Sequence, residues 1–342
     1  MARLNELVRN EGGPPGEGAG PRPKGEPSKT LFKNIDTAAA QGSLESRAQV
    51  ILEADQWHAQ AEMELTPILD AVRSAHPFSL DGLTQVVDGF VKSLAQSDRL
   101  LVKAISAERG GLVITNLVNT TIIALKIGMG LRYASQDLMR LGIAAILHDV
   151  GMCLIPEAIL NKPGPLIPEE RALITRHPEM GAQALQRLGK EAGWLAELVH
   201  QEHERVSGQG YPRGLKGDEI HEYAQIIGLA DTFEALLHAR PYRKRFLPHE
   251  ALRELVTKEK TAFPTKMLKC LIQQFSVFPL GTRVRLNTGE IGEVVELNPQ
   301  NPLRPVVQVL KDPQGLSPKE ARALDLSKSS MLHIAQVVPD DQ

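Results

Sequence analysis

A few polar residues in this 342-residue chain interrupt runs that are otherwise apolar. His148 and Asp149 end the stretch LGIAAILHD, and Asp231 sits inside IIGLADTFEALL. A carboxylate removed from water costs on the order of several kcal/mol unless it is paired or bound to a metal. His177 stands at the end of EERALITRH, just before Pro178, and His203 follows Glu202 in WLAELVHQEHER. Imidazole nitrogen and carboxylate oxygen together form a ligand set for iron, manganese or zinc. With Asp149 as a bridge, such a set holds two cations about 3.5–4 Å apart, a spacing that activates a water and clamps a phosphoryl group. A single helical His is far more often packing or surface; the metal reading rests on five such positions in their local contexts.

These residues need elements to position them. Apolar residues at spacings of three and four run through SLESRAQVILEADQWHAQAEMEL, with Ser43 as an N-cap, and through LTQVVDGFVKSLAQSDRLLVKAI after Ser79 and Asp81. DLMRLGIAAILHD, PEERALITRH, WLAELVHQEHE and EYAQIIGLADTFEALLHA show the same period, and Pro168 falls at a first helical position. After Pro279 the period changes to two. TRVRLNTGEIGEVVEL reads as a hairpin turning at Asn287, Thr288 and Gly289, followed by strands in RPVVQVLKD and MLHIAQVV. The sequence thus divides into a Gly/Pro-rich disordered tail (1–43), a helical N-terminal region (44–108), a helix-rich domain (109–278) and a small, barrel-like β module (279–342). The tail reading rests on residues 11–27, which hold six Gly and five Pro.

Composition narrows the function classes. Thirty-nine Lys and Arg against 41 Asp and Glu give a net charge of −2, without the broad basic field of a nucleic-acid binder. Aromatic residues are 4% of the chain, too few for base-stacking platforms. The two cysteines, Cys153 and Cys270, suit reduced core thiols rather than a disulfide framework or a cysteine zinc site. The most apolar stretch, 112–131, is interrupted by Asn116, Asn119, Thr120, Thr121 and Lys126, so no membrane span is expected. MARLNELVRNEGG lacks a signal-peptide core, which makes a cytoplasmic protein the expectation.

Five motifs then follow in order: HDVGM (148–152), ILNKPGPL (159–166), His177-Pro178, HERVSGQGYP (203–212) and LADTFEALLHARPYR (229–243). Over roughly residues 110–275 the chain resembles the HD-GYP family, the cyclic-di-GMP phosphodiesterase branch of the HD metal-dependent phosphohydrolases. The resemblance implies an all-helical domain with two or three metals, usually iron or manganese, and hydrolysis of a cyclic dinucleotide in bacterial signalling; for this mainly α-helical chain one or two divalent transition-metal ions, iron or manganese, are expected. Carried over by position, His148 and Asp149 resemble the paired ligands and catalytic residues, with Asp149 bridging. His177 and His203 resemble ligands of the second metal, with Glu202 beside them, and Asp231 resembles the last acidic ligand of the first. Lys162 resembles the loop beside the site, and Gly210, Tyr211 and Pro212 the signature loop. Glu234 is a base contact or an ordering residue. Arg240 and Arg243 resemble the pair that grips substrate phosphates, for which guanidinium forks are suited.

The chain departs from the family pattern at four places: Asn116 stands for a histidine, Met152 for a lysine, Glu202 for the first of two histidines and Ser207 for an aspartate. Leu112 leaves no ligand for a third metal. His200 is a candidate support for His203, while His58, His76, His221, His238, His249 and His333 read as surface or packing residues. The departures define the alternative reading, a catalytically degenerate module that senses a nucleotide or acts as a scaffold. Homodimer or partner contacts would use the N-terminal helices or the β module.

Overall fold

The computed structural model describes residues 37–106, 112–238, 248–275, 282–298, 304–318 and 322–338, with residues 246, 278 and 301. The Gly/Pro-rich segment 11–27, Arg240 and Arg243 lie outside them. The helices are α1 (Thr37–Arg73), α2 (Asp81–Gln96), α3 (Arg99–Ser106), α4 (Leu112–Gly130), α5 (Ser135–Ile146), α6 (Glu157–Leu160), α7 (Pro168–Ile174), α8 (His177–Gln186), α9 (Gly193–Gln201), α10 (Glu222–Leu237), α11 (Pro248–Lys258) and α12 (Thr265–Phe275). Five strands follow: β1 (Arg283–Leu286), β2 (Ile291–Glu296), β3 (Val306–Lys311), β4 (Arg322–Asp325) and β5 (Ile334–Val337).

Helix α4 is the axis of the helical part. Leu117, Val118, Ile122, Ile123, Ala124, Leu125 and Ile127 are all fully buried, so apolar side chains are buried on every side of the helix, as for a central helix. It packs against α5, which leads into His148 and Asp149, against α10, which carries Asp231, and against α1, α3 and α12. By length and hydropathy Val113–Gly130 could cross a membrane, contrary to the reading of this stretch as too polar, but two thirds of it is buried in the protein's own core. Its polar residues Asn119, Thr120 and Thr121 are themselves buried.

Several local signals act as expected. Ser79 Oγ accepts the Asp81 amide at the start of α2 (3.0 Å), and Pro168 opens α7. Helix α1 begins at Thr37, ahead of Ser43, and continues through Pro67 to Arg73. The apolar run after Asp81 breaks at Ser97–Asp98 into α2 and α3. The strands form one antiparallel sheet in the order β4-β3-β2-β1-β5. The β1–β2 turn carries Gly289 at φ 94°, a backbone region that favours glycine. β4 and β5 are its edges rather than hydrogen-bonded neighbours, so the strand order shows no barrel closure among the described residues.

Candidate metal centre

The candidate ligands sit mostly at helix ends. His148 and Asp149 occupy the turn after α5, His177 opens α8 rather than closing α7, and Glu202 and His203 follow the last turn of α9. Asp231 lies in the interior of a helix, α10. Helix ends present carbonyls without intrahelical donors, and two imidazoles use nearby ones. His148 Nδ1 bonds Ala145 O and His177 Nδ1 bonds Ile174 O, each at 2.7 Å. A carbonyl can only accept, so each Nδ1 carries the proton and each Nε2 is directed at the cluster, the arrangement that orients metal-ligating histidines.

The clustered atoms form two groups that share Asp149. One comprises Asp149, His177, Glu202 and His203; the other His148, Asp149 and Asp231. In the first, His177 Nε2 lies 2.8 Å from Asp149 Oδ1, 3.3 Å from Glu202 Oε1 and 3.0 Å from His203 Nε2. His203 Nε2 lies 2.8 Å from Glu202 Oε1. In the second, His148 Nε2 is 3.8 Å from both Asp149 Oδ2 and Asp231 Oδ1. Among the described residues no other group of three or more ligand-type side chains converges.

These side chains fit a cation better than one another. His148 Nε2, Asp149 Oδ1 and Glu202 Oε2 are buried and meet no partner in hydrogen-bond alignment. Leaving such atoms unsatisfied costs about 1–3 kcal/mol each, more when charged. The local field is strongly negative. Burial alone would lower the pKa of His148, but Glu202, Asp149 and Asp231 outweigh it and push it up to about 10. His177 is likewise raised well above its ordinary value, its burial overcome by Asp149 and Glu202. Burial would raise both aspartates, yet the imidazoles hold Asp149 far below the carboxylate range and Asp231 at about 2. Without a metal, protons supply the positive charge the cluster demands.

Close backbone contacts seat the ligands. A Cβ on Gly151 would lie 2.1 Å from His177 O, and one on Gly228 would lie 2.4 Å from Glu202 O, so both positions require glycine. Glycine at 210 has the same cause, since a Cβ there would lie 2.4 Å from Arg205 N and 2.5 Å from Glu204 Cα. Tyr211 stacks on His203, ring centroids 4.6 Å apart, and meets His177 edge-on.

The sequence matches the family described as HD domain over residues 83–265, more than half of the chain. The chain belongs to the HD domain family. Residues 283–342 match a second family, a KOW domain associated with HD domain, and this stretch contains all five strands. A cyclic di-GMP phosphodiesterase of Pseudomonas aeruginosa, PA4108, is 26% identical over 83% of this chain and 70% of its own. The response regulator RpfG of Xanthomonas campestris, named a cyclic di-GMP phosphodiesterase, is 36% identical over 41% of this chain and 37% of its own. The 3'3'-cGAMP-specific phosphodiesterase 2 of Vibrio cholerae is 33% identical over 44% and 28%. The matches to these last two span well under half of each relative's length. Among solved structures, Bd1817, a HDG"Y"P protein from Bdellovibrio bacteriovorus, aligns with TM-score 0.55 and 17% identity over 65% of this chain and 71% of that one, a likeness of fold.

Around the HD domain cluster the remaining candidates divide. Lys162 is held by both oxygens of Glu170, at 2.8 and 2.6 Å. Asn116 Nδ2 donates to Asp231 Oδ1 (3.0 Å) and Glu234 Oε2 (2.9 Å). Turning that amide over would face its oxygen toward two carboxylates, so Asn116 offers the cluster a donor, not a ligand oxygen. Buried Glu234 also faces Asn119 Nδ2 (3.4 Å) and His238 Nδ1 (2.9 Å), which makes it an ordering group. His58, read as surface or packing, is buried and reaches Asn119 Oδ1 at 3.3 Å, extending this polar chain to α1. Sequence reasoning assigned no role to Glu204 or Arg205. Glu204 accepts the amides of Arg213 (2.6 Å) and Leu215 (2.9 Å), fixing the loop that carries Tyr211. Arg205 binds the Glu202 and Glu204 carbonyls and reaches Thr232 on α10. Their place inside HERVSGQGYP, between a ligand and the glycine loop, was the available signal.

Proposed function

We propose that this chain hydrolyses a phosphodiester bond of a cyclic dinucleotide, cyclic-di-GMP in the first instance, at a centre of two divalent cations. The observation that carries the reading is the pair of ligand groups sharing Asp149, with the buried, unpartnered Nε2 of His148 directed into one of them. His148, Asp149 and Asp231 would hold one ion, and Asp149, His177, Glu202 and His203 the other. Iron or manganese suits this mixture of imidazole and carboxylate. When bound, such a pair lowers the pKa of water and offsets charge on a phosphoryl group.

The chain's own residues supply position and shape. The Nδ1 hydrogen bonds of His148 and His177 keep their rings from rotating away. Tyr211, on the loop held by Glu204, lies over the His203 ring. Asn116 keeps Asp231 turned toward His148. Arg240 and Arg243 are the proposed phosphate donors. Lys162 is the proposed third, and contacting substrate would require it to exchange Glu170 for phosphate. The names of the relatives support the substrate class, since PA4108 and RpfG are cyclic di-GMP phosphodiesterases.

The test is turnover. The protein is purified without air, loaded with Fe(II) or Mn(II) and given cyclic-di-GMP, and products are separated by chromatography. Linear dinucleotide or GMP is expected from the unaltered chain and not from Asp149→Ala. Metal bound at one or more ions per chain with no product would replace this reading by a nucleotide-binding module.

A further inference from the structure

Glu202 is placed differently from every other ligand candidate. Its side chain is wholly buried. Oε1 belongs to the four-residue group, 2.8 Å from His203 Nε2 and 3.3 Å from His177 Nε2. Oε2 faces the other way and lies 3.8 Å from His148 Nε2. That is the same distance at which Asp149 Oδ2 and Asp231 Oδ1 stand from this nitrogen. Three oxygens therefore surround His148 Nε2 at one radius, and only two belong to residues already counted with it. Oε2 meets no hydrogen-bond donor although it is buried; it faces His148 Nε2 beyond hydrogen-bond reach.

Among the described residues the His148 group holds three converging ligand-type side chains. Asn116, a neighbouring polar side chain, donates its amide to Asp231 and Glu234. Counted alone, His148, Asp149 and Asp231 provide three ligand atoms, against four in the other group. Oxygen and nitrogen ligands bind such ions at about 2.0–2.2 Å, so two atoms 3.8 Å apart still fit one ion, on opposite flanks. Glu202 Oε2 stands outside that three-residue grouping but within ligand span of its His148 Nε2.

We infer that Glu202 is a second bridging carboxylate, joining the two metal positions through Oε1 and Oε2 alongside the bridge made by Asp149. The inference rests on the two-metal reading above but not on turnover. It gives Glu202 a task that one imidazole Nε2 cannot perform, because a neutral imidazole held at that position offers one lone pair to one ion. Gly228 is part of the device, since its missing side chain lets α10 approach Glu202 O and fixes the backbone from which the carboxylate projects.

The test is metal binding, read without substrate. The full chain is stripped with chelator and titrated anaerobically with Mn(II), following free Mn(II) by electron paramagnetic resonance. Two ions per chain are expected in the unaltered protein. Glu202→His restores a nitrogen to the His177–His203 group but cannot bridge, so it should keep one ion at near-native affinity and weaken the second at least tenfold. Two ions bound by Glu202→His with unchanged affinities would overturn the bridge and leave Glu202 a terminal ligand. No tight Mn(II) in the unaltered protein would overturn both the bridge and the two-metal centre. A crystal structure of the Mn(II)-loaded, unaltered protein decides the matter without a variant. The two Glu202 oxygens on different ions support the bridge; both on one ion, or one unligated, refute it. Two bridged ions without turnover would remove the proposed hydrolysis while leaving this inference standing.

Discussion

Asn116 shows how one side chain can set the behaviour of a site it does not ligate. Its amide nitrogen is shared by Asp231 and Glu234, two carboxylates that would otherwise face each other without a donor between them. Asn116→Leu keeps the approximate volume and removes the donor. It should lower stability by about 1–3 kcal/mol, the range for leaving buried polar atoms unsatisfied, measured by urea denaturation of the metal-free protein. An unchanged midpoint would mean that water or a neighbour replaces the amide at no cost. The ligand residues themselves were legible in the sequence because His148, Asp149 and Asp231 interrupt apolar runs, where a polar residue needs a reason. Glu234 and Asn119 interrupt such runs equally, yet their mutual contact spans 115 positions, and no local pattern reports it. Glu204 was hidden for another reason: its partners are backbone amides of the loop, which carry no sequence signature.

At the level of elements, the centre depends on how closely α8 approaches the 3-10 turn Val150–Leu154 that follows Asp149. Gly151 permits that approach, since a Cβ there would fall 2.1 Å from His177 O and 2.7 Å from Gly181 N, both backbone atoms that cannot rotate aside. Gly151→Ala should therefore displace the start of α8 and carry His177 away from Asp149. The expected cost is about 1–3 kcal/mol, as for overpacking, with fewer bound ions per chain by elemental analysis. Gly164→Ala is the matched control, because a Cβ at Gly164 meets nothing within 4 Å. Full metal content in Gly151→Ala would show that the α8 contact does not position His177. Helical period and the switch to period two made most elements readable, including β1, β2 and their turn. What escaped was short or exposed. β4, Arg322–Asp325, has no fully buried position and hence no alternation to detect. The ends of α7 and α9 escaped because apolar spacing runs on through the turns that hold His177, Glu202 and His203.

For the molecule as a whole, the centre concentrates Asp149, Glu202 and Asp231 inside a protein whose net charge is only −2. Folding must neutralise that charge with cations or protons, so metal-free stability should depend on pH in a defined sense. His148 has a folded pKa of about 10 against 6.5 for the free side chain. A raised pKa contributes stability that is fully present below 6.5 and is lost as pH climbs toward 10. Asp231 is held at about 2 against 3.8, so its contribution is present above 3.8 and disappears as pH falls toward 2. His177 adds to the loss on the alkaline side, being raised as well. The chelator-treated protein should thus melt at its highest temperature between about pH 4 and 6.5 and at progressively lower temperatures from there to about pH 9. Bound metal takes the place of these protons, and metal competes better as protons become scarce. The difference in melting temperature between Mn(II)-loaded and chelator-treated protein should therefore widen steadily with pH. Paired thermal melts at about pH 6, 7.5 and 9 under anaerobic conditions provide the check. A chelator-treated melting temperature that stays level across that range would mean the imidazoles do not carry the protons assigned to them, and the cluster would then have to balance its charge by another route.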